Sequence, residues 1–179
     1  MKKSALGYII PAVLIIAAVS GYLIYKSSLE INLSNGDKLD NISLKGPNGE
    51  VFSLHDIHNK YILVHFWASW CGPCVAEVPE LNKVYQLFRS QKIGNSDGFE
   101  IYAVSLNFDE TRWKNSLNGL GVQWPINVND TQAFKSDVAR KYNVGSIPAN
   151  VLLNPEYEIV GKNLSPDQIK DMLNRFTNQ

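Results

Sequence analysis

Cysteine is scarce in this 179-residue chain, with two copies at positions 71 and 74. That scarcity excludes a framework of several disulfides and a zinc site built from four thiolates. Histidine is limited to His55, His58 and His65. Neither sign of charge is in excess, at 17 basic and 17 acidic residues, and Lys and Arg form no run. Without a basic patch there is no electrostatic footprint for nucleic acid. Internal repeats and low-complexity tracts are also missing.

One long uncharged run is present. Lys2 and Lys3 precede Ala5 to Tyr25, 21 residues without a charge. As a helix it reaches about 30 Å, the thickness of a bilayer core. Tyrosines near both ends suit the membrane interfaces, and Pro11 is tolerated in such a helix. Ala18-Val19-Ser20 is also a small-x-small cleavage site, so residues 1–26 read as an uncleaved anchor or a cleaved signal segment. The run continues past that site to Tyr25, which favours the anchor. A basic start puts the N-terminus in the cytoplasm and, on either reading, the rest of the chain outside it. The part beyond Lys26 carries 14 basic and 17 acidic residues, a net of −3. About 150 residues suffice for one domain with a proper core.

Residues 27–41 are polar, hold the turn signal Asn35-Gly36, and predict a linker. The domain is then 42–179. Residues 42–45 and 51–54 around the turn Gly46-Pro47-Asn48-Gly49 predict a β-hairpin. The nearly continuous apolar run Tyr61–Trp67 predicts a central strand covered on both faces. Val75, Val78, Leu81, Val84, Tyr85 and Phe88 form a helical stripe, interrupted by Pro79. A strand over 99–106, a helix from Asp109, a helix from Thr131 to Tyr142 and a hairpin of 149–153 with 158–162 follow. Ser165-Pro166 starts the last helix with an N-cap and a proline at N1. This order predicts an α/β sandwich around a mixed sheet.

Between the first central strand and its helix stands Trp67-Ala68-Ser69-Trp70-Cys71-Gly72-Pro73-Cys74. Two thiols three residues apart close a loop too short to restrain an unfolded chain much, so as a staple the pair is poorly placed. At a helix start, the dipole and the free N–H groups of the first turn favour a thiolate, so the pair reads as redox chemistry. Cys71 is the expected exposed attacking thiol and Cys74, one turn in, the buried resolving thiol. His55-x-x-His58 upstream offers the spacing of a Cys₂His₂ zinc set as a rival. A copper or zinc carrier using the two thiols is a second rival.

Together with Ile147-Pro148 ahead of a strand, this run resembles the thioredoxin superfamily. The N-terminal anchor, Glu77 in Cys-x-x-Cys-x-x-Glu-x-Pro, and the insert between strand and proline make it similar to the membrane-anchored TlpA/ResA-like thiol–disulfide oxidoreductases of the bacterial cell envelope. The resemblance implies a thioredoxin-like sandwich with an N-terminal β-hairpin and an insert before a cis-proline at Pro148. It implies a redox-active Cys71–Cys74 disulfide, a client segment bound along Ile147 and Pro148 beside Trp70, and no cofactor or metal. Its implied setting is a single-pass membrane protein with the catalytic domain on the periplasmic side. A transmembrane thiol carrier is the implied electron donor, and protein disulfides, including those of apocytochrome c, the acceptors. Gly72-Pro73 between the cysteines goes with reductants.

Glu77 lies one turn beyond Cys74, where a partly buried carboxyl would have a raised pKa and serve as acid/base or in substrate discrimination. The sequence departs from the family at His65, where thioredoxin carries a buried acid. An imidazole there is either a core residue or a proton relay to Cys74 that favours thiolates when charged. Ala149-Asn150 replaces a Thr-Thr common in relatives. A thiol peroxidase on the same fold is a further alternative, but its Pro-x-x-x-Thr-x-x-Cys setting is missing, Ser69 is the sole nearby hydroxyl, and no Arg lies between Tyr61 and Phe88. Trp113 and Trp124 read as packing residues.

Overall fold

The computed structural model describes residues 6–28, 31 and 33–178. Its centre is made by two long, largely apolar strands, β3 (Tyr61–Trp67) and β4 (Phe99–Ser105), which pair in parallel from Tyr61↔Phe99 to Trp67↔Ser105. Both are buried along nearly their whole length, as continuous apolar strands must be when helices cover both faces. β5 (Ile126–Asn129) extends the parallel set beyond β4, and β6 (Ala149–Leu153) lies antiparallel on the other side of β3. The hairpin β1 (Ser43–Lys45)–β2 (Val51–Ser53) closes one edge and β7 (Ile159–Lys162) the other, giving the order β2-β1-β5-β4-β3-β6-β7.

Strand alternation sorts the core into two layers. Ile62, Val64, Phe66, Tyr102 and Val104 face one layer, with Ile42, Leu54, Ala139 and Tyr142. Leu63, Trp67, Ile101 and Ala103 face the other, against α2 (Gly72–Phe88), α3 (Glu110–Leu120) and α5 (Pro166–Thr177). Within α2, the stripe Cys74, Val78, Leu81, Val84, Tyr85 and Phe88 is buried, and the helix continues through Pro79. At the base of α2, Gly98 has φ +126°, and a Cβ there would stand 2.5 Å from the Arg89 carbonyl oxygen; only glycine fits. A reciprocal capping box starts α5: Gln168 N–H donates to Ser165 Oγ, and Ser165 N–H to Gln168 Oε1.

Three expectations need correcting. The helix expected over Thr131–Tyr142 is a 3-10 turn at Ala133–Lys135 followed by α4 (Asp137–Lys141). Ser136 is extended, and its Oγ accepts from Ala139 N–H at 3.0 Å. A mid-run serine that caps a new helix ends the old one.

Of residues 27–41, expected to be a linker, Ile31 and 33–41 lie against the domain. Ile31 and Leu39 are buried in the core, and the segment docks on the β7 edge through Gly36 N–H to Ile159 O and Leu39 N–H to Tyr157 O. Lys162 Nζ donates to the carbonyls of Ile31 and Leu33. The widely spaced apolar side chains hold a mainly polar segment to the domain, Lys38 bridges to Glu158, and β7 begins at Ile159, one residue later than expected.

At the N-terminus, α1 spans Leu6–Ser28. Among the described residues, no helix is long and apolar enough to cross a membrane. The expected span began at Ala5, which lies outside the described residues.

Candidate functional site

The site grows out of the C-terminal ends of β3 and β4. Leaving β3, the chain is held by Leu106 N–H to Trp67 O and turns through Cys71 N–H to Ala68 O at 3.1 Å. Cys71 then sits extended (φ −87°, ψ 100°) as the N-cap of α2, with Pro73 in the first turn, where a missing N–H costs nothing. Cys71 and Cys74 form a disulfide with Cα atoms 5.3 Å apart. The Cys74 N–H points at Cys71 Sγ, 3.2 Å away. Once the pair is reduced, that N–H and the helix dipole both favour negative charge on Cys71 sulfur.

The two thiols differ in access as expected, but less openly than expected. Cys71 is 6% exposed and Cys74 is fully buried. The disulfide lies just below the surface, so a reacting partner meets Cys71 at the floor of a rim. Opposite the end of β3, Phe66 pairs with Ala149. The residue before it, Pro148, follows a cis peptide bond from Ile147, the isomer the resemblance implies. Ile147 is half-buried and packs against both core layers, including the one that holds the cysteines.

Glu77 lies on α2 one turn beyond Cys74 and shares a cavity of about 280 Å³ with Pro148, Asn150, Leu164 and Gln168. Partial desolvation holds its carboxyl above the ordinary value of 4.5. The Asn150 side chain is occupied: it donates to Leu164 O and accepts from Leu164 N–H, both at 2.9 Å. It ties β6 to the approach of α5 and shapes the wall of that cavity.

His65 sits between Ala103 and Asn150 in the sheet and is 2% exposed. By alternation with Leu63 and Trp67 it faces the α2 layer. Its Nδ1 is buried without a hydrogen-bond partner, and burial lowers its pKa from 6.5 to about 4. At neutral pH the ring is uncharged, so of the two readings the charged one that would favour thiolates has no support and His65 stands as a core residue.

Trp70 is 53% exposed, and its ring centroid lies 6.3 Å from that of Phe134. Trp113 and Trp124 are core residues, the latter donating through Nε1 to Asn127 Oδ1.

Sequence reasoning missed a polar network behind the motif. Asn107 Oδ1 accepts from Ser69 N–H at 2.9 Å, and Asn107 Nδ2 donates to Ser69 Oγ at 2.7 Å. Ser105 Oγ donates to Asn107 Oδ1, and Asn129 Nδ2 to Asn107 O. The ends of β4 and β5 thereby fix the loop that carries Trp70 and Cys71. Its signal in the sequence was an Asn and a Ser closing an otherwise apolar strand. Ser69, the sole hydroxyl near the cysteines, is bound into this network rather than turned to a substrate.

The histidine pair of the zinc rival lies elsewhere. His58 precedes β3 and Cys71 follows it, and a seven-residue strand separates its ends by about 20 Å. His55 Nε2 contacts Leu39 O at 3.1 Å. Among the described residues, no three His, Cys, Asp or Glu side chains cluster to hold a metal. A larger cavity of about 490 Å³ lies between the β1–β2 hairpin and α3 and is lined by neither cysteine. Exchange with a polypeptide disulfide needs an accessible rim more than an enclosed pocket, so the functional site is placed at the cysteines.

Comparison with known proteins agrees with this geometry. Residues 59–159 match the Thioredoxin-like family Thioredoxin_8. Over 181 residues the chain is 30% identical to the thiol-disulfide oxidoreductase ResA of Bacillus subtilis (strain 168), covering 99% of this chain and 95% of that protein. Among solved structures, the thioredoxin domain of a thiol-disulfide oxidoreductase from Bacteroides vulgatus superposes with a TM-score of 0.72 at 31% identity, covering 82% of this chain and all of that one. A thiol:disulfide interchange protein from Bacteroides sp. gives the same TM-score and identity, covering 82% of this chain and 92% of that one. With a disulfide at the start of α2 and a cis-proline leading into β6, the chain belongs to the thioredoxin-like family and is a thiol–disulfide oxidoreductase.

Proposed function

We propose that this protein is a membrane-tethered reductant of disulfides in exported proteins, working outside the cytoplasm. The observation that carries the reading is the Cys71–Cys74 pair at the tip of α2, with Cys71 alone retaining exposure and Ile147, before the cis bond to Pro148, packed on the core cluster that holds both cysteines. In the reduced protein, Cys71 thiolate attacks one sulfur of a client disulfide. The client S–S bond breaks, a mixed disulfide forms, and the other client sulfur leaves as thiolate. Cys74, deprotonated, then attacks Cys71 sulfur, closing the Cys71–Cys74 disulfide and releasing the second client thiol. Two electrons pass to the client, and two protons complete its thiols. A transmembrane thiol carrier restores the dithiol by the same exchange in reverse. Apocytochrome c cysteine pairs are one member of this client class.

The tether rests on the uncharged run Ala5–Tyr25 after Lys2 and Lys3. In α1, Val13 to Ile16, Val19 and Leu23 are all exposed, which a helix in water does not favour and a helix in lipid does. Glu77, its carboxyl raised by burial and one turn from Cys74, holds and returns the proton that Cys74 gives up. Burial lowers the His65 pKa to about 4, so its neutral ring is a weak base toward the Cys74 thiol and the transfer falls to Glu77.

Equilibration with glutathione tests direction: a midpoint near thioredoxin's, about −270 mV, is expected, and one near about −120 mV would make the protein an oxidant. Fractionation tests the tether: the full chain should pellet with membranes, and recovery in the soluble fraction would sink it. Glu77→Gln should slow client reduction about 10-fold or more and remove from the pH–rate profile an ionisation displaced above 4.5. An unchanged rate and profile would reduce the carboxyl to surface decoration.

A further inference from the structure

We propose that the segment before β1 moors the domain to the bilayer by its β7 side, so that the Cys71–Cys74 disulfide exchanges electrons with a dithiol presented at the membrane surface. This deepens, and rests on, the reading of the protein as a membrane-tethered reductant. Residues 27–41, if free, would span about 20 Å between their ends on average and about 50 Å when extended. Most of that length is instead laid down on the domain. Gly36 N–H donates to Ile159 O at 2.8 Å, Ile159 N–H to Asp37 O at 2.9 Å and Leu39 N–H to Tyr157 O at 2.9 Å. Leu39 and Ile31 are 2% and 3% exposed, both within the core layer that holds Val64 and Val151. Half-buried Lys162 turns its ammonium to the segment and donates to the carbonyls of Ile31 and Leu33.

Attachment to the domain therefore begins at Ile31, whereas α1 ends at Ser28. Those three residue steps cover at most about 11 Å. The sheet register gives the remaining distance to the disulfide. Lys162 pairs with Val151, and Val151 with Val64. Two strand spacings, about 10 Å, and half of β3, about 10 Å, separate Lys162 from the strand end that leads to the cysteines. Adding the Lys162 side chain and the short turn to Cys71 keeps the reactive sulfur within about 40 Å of the last residue of α1. A dithiol carried on a membrane-embedded protein lies inside that radius; one displayed on a tall soluble domain does not. The part of the chain beyond Lys26 carries a net −3, so anionic lipid gives no pull towards the bilayer. Closeness comes from the moored segment.

Fluorescence energy transfer tests this. The full-length Cys74→Ser chain carries a donor dye on Cys71, its one remaining cysteine, and is reconstituted in phosphatidylcholine vesicles that contain an acceptor-labelled lipid. An insert of about 20 Gly and Ser residues after Ser28 provides a freely tethered reference, adding about 25 Å of average reach without touching the domain. The transfer rate without the insert should exceed that reference by at least about twofold. Lys162→Ala combined with Leu39→Ala, which unmoors the segment, should also lower it. Equal transfer with and without the insert, or transfer unchanged in the folded unmoored variant, overturns the mooring and leaves the tethered-reductase reading standing. A chain that stays in solution when the vesicles are pelleted overturns the tether and the mooring with it.

Discussion

Cys74→Ser is expected to accumulate mixed disulfides between Cys71 and client polypeptides, while catalytic turnover falls by at least about 10³-fold. The size follows from proximity. In the native pair the resolving sulfur is bonded to its partner across a Cα–Cα distance of 5.3 Å, so in the mixed disulfide it stands within reach of Cys71. Oriented intramolecular attack corresponds to effective concentrations far above the millimolar level of any external thiol. With serine at 74, release has to wait for such a thiol, and the covalent intermediate persists. Burial makes the outcome directional: Cys74 is fully enclosed and cannot substitute as the attacking group, whereas Cys71 keeps a small accessible face. On non-reducing gels of the full chain, Cys74→Ser should therefore give bands that collapse with dithiothreitol. The double variant Cys71→Ser/Cys74→Ser should give none, and Cys71→Ser alone should give none. Adducts formed by Cys71→Ser through Cys74 would reverse the assignment of roles and contradict the access seen here.

The parts of this fold that could be read in advance are those written in local chemistry. β3 was marked by an unbroken apolar run and α5 by Ser165-Pro166, and both stand where the pattern put them. The reactive pair was legible because Cys71, Gly72-Pro73 and Cys74 combine N-cap, first-turn proline and thiols within four residues. What escaped depends on partners distant in sequence. Ile31 and Leu39 look like isolated apolar residues in a polar stretch until the β7 edge supplies their neighbours. The break at Ser136 is a contest between continuing one helix and capping another, and periodicity alone favours continuation. Asn107 gains its meaning only from Ser69, 38 residues away, so the clamp that holds the loop carrying Trp70 and Cys71 had no local signature. His65 was recognisable as a departure, but its charge state is set by the packed α2 layer above it rather than by its sequence neighbours.

That charge state has a measurable consequence: lowering the pH from 7 to 4.5 should cost the disulfide form about 2–3 kcal/mol of stability through His65 alone. The folded-state pKa, about 4, lies below the ordinary 6.5. The native protein therefore holds the ring neutral, while the unfolded chain binds a proton once the pH falls below 6.5. Stability from this group is complete above 6.5 and is lost as the pH descends towards 4, at up to 1.36 kcal/mol per pH unit. Against a total of about 5–15 kcal/mol for a domain, that is a large share. The buried carboxyls act with the opposite sign. Glu77 and Glu100 are both raised by desolvation, so each is easier to bury once protonated, and acid relieves rather than adds to their cost. Asp40, lowered by its hydrogen bond to Lys141, has the same sign as His65 but acts only below its ordinary 3.8 and lies fully at the surface. Above 4.5 the loss through His65 therefore runs against the relief at these two carboxyls, and a comparison with a variant lacking the imidazole separates them. Urea unfolding of wild type and His65→Leu at pH 7 and 4.5 isolates the histidine. Leucine removes the unpaired Nδ1 and leaves a core of similar volume, so the variant should match or exceed wild type at neutral pH. It should also lose about 2–3 kcal/mol less on acidification. An unaltered acid dependence in the variant would show that the imidazole is already protonated, or paired, in the folded protein.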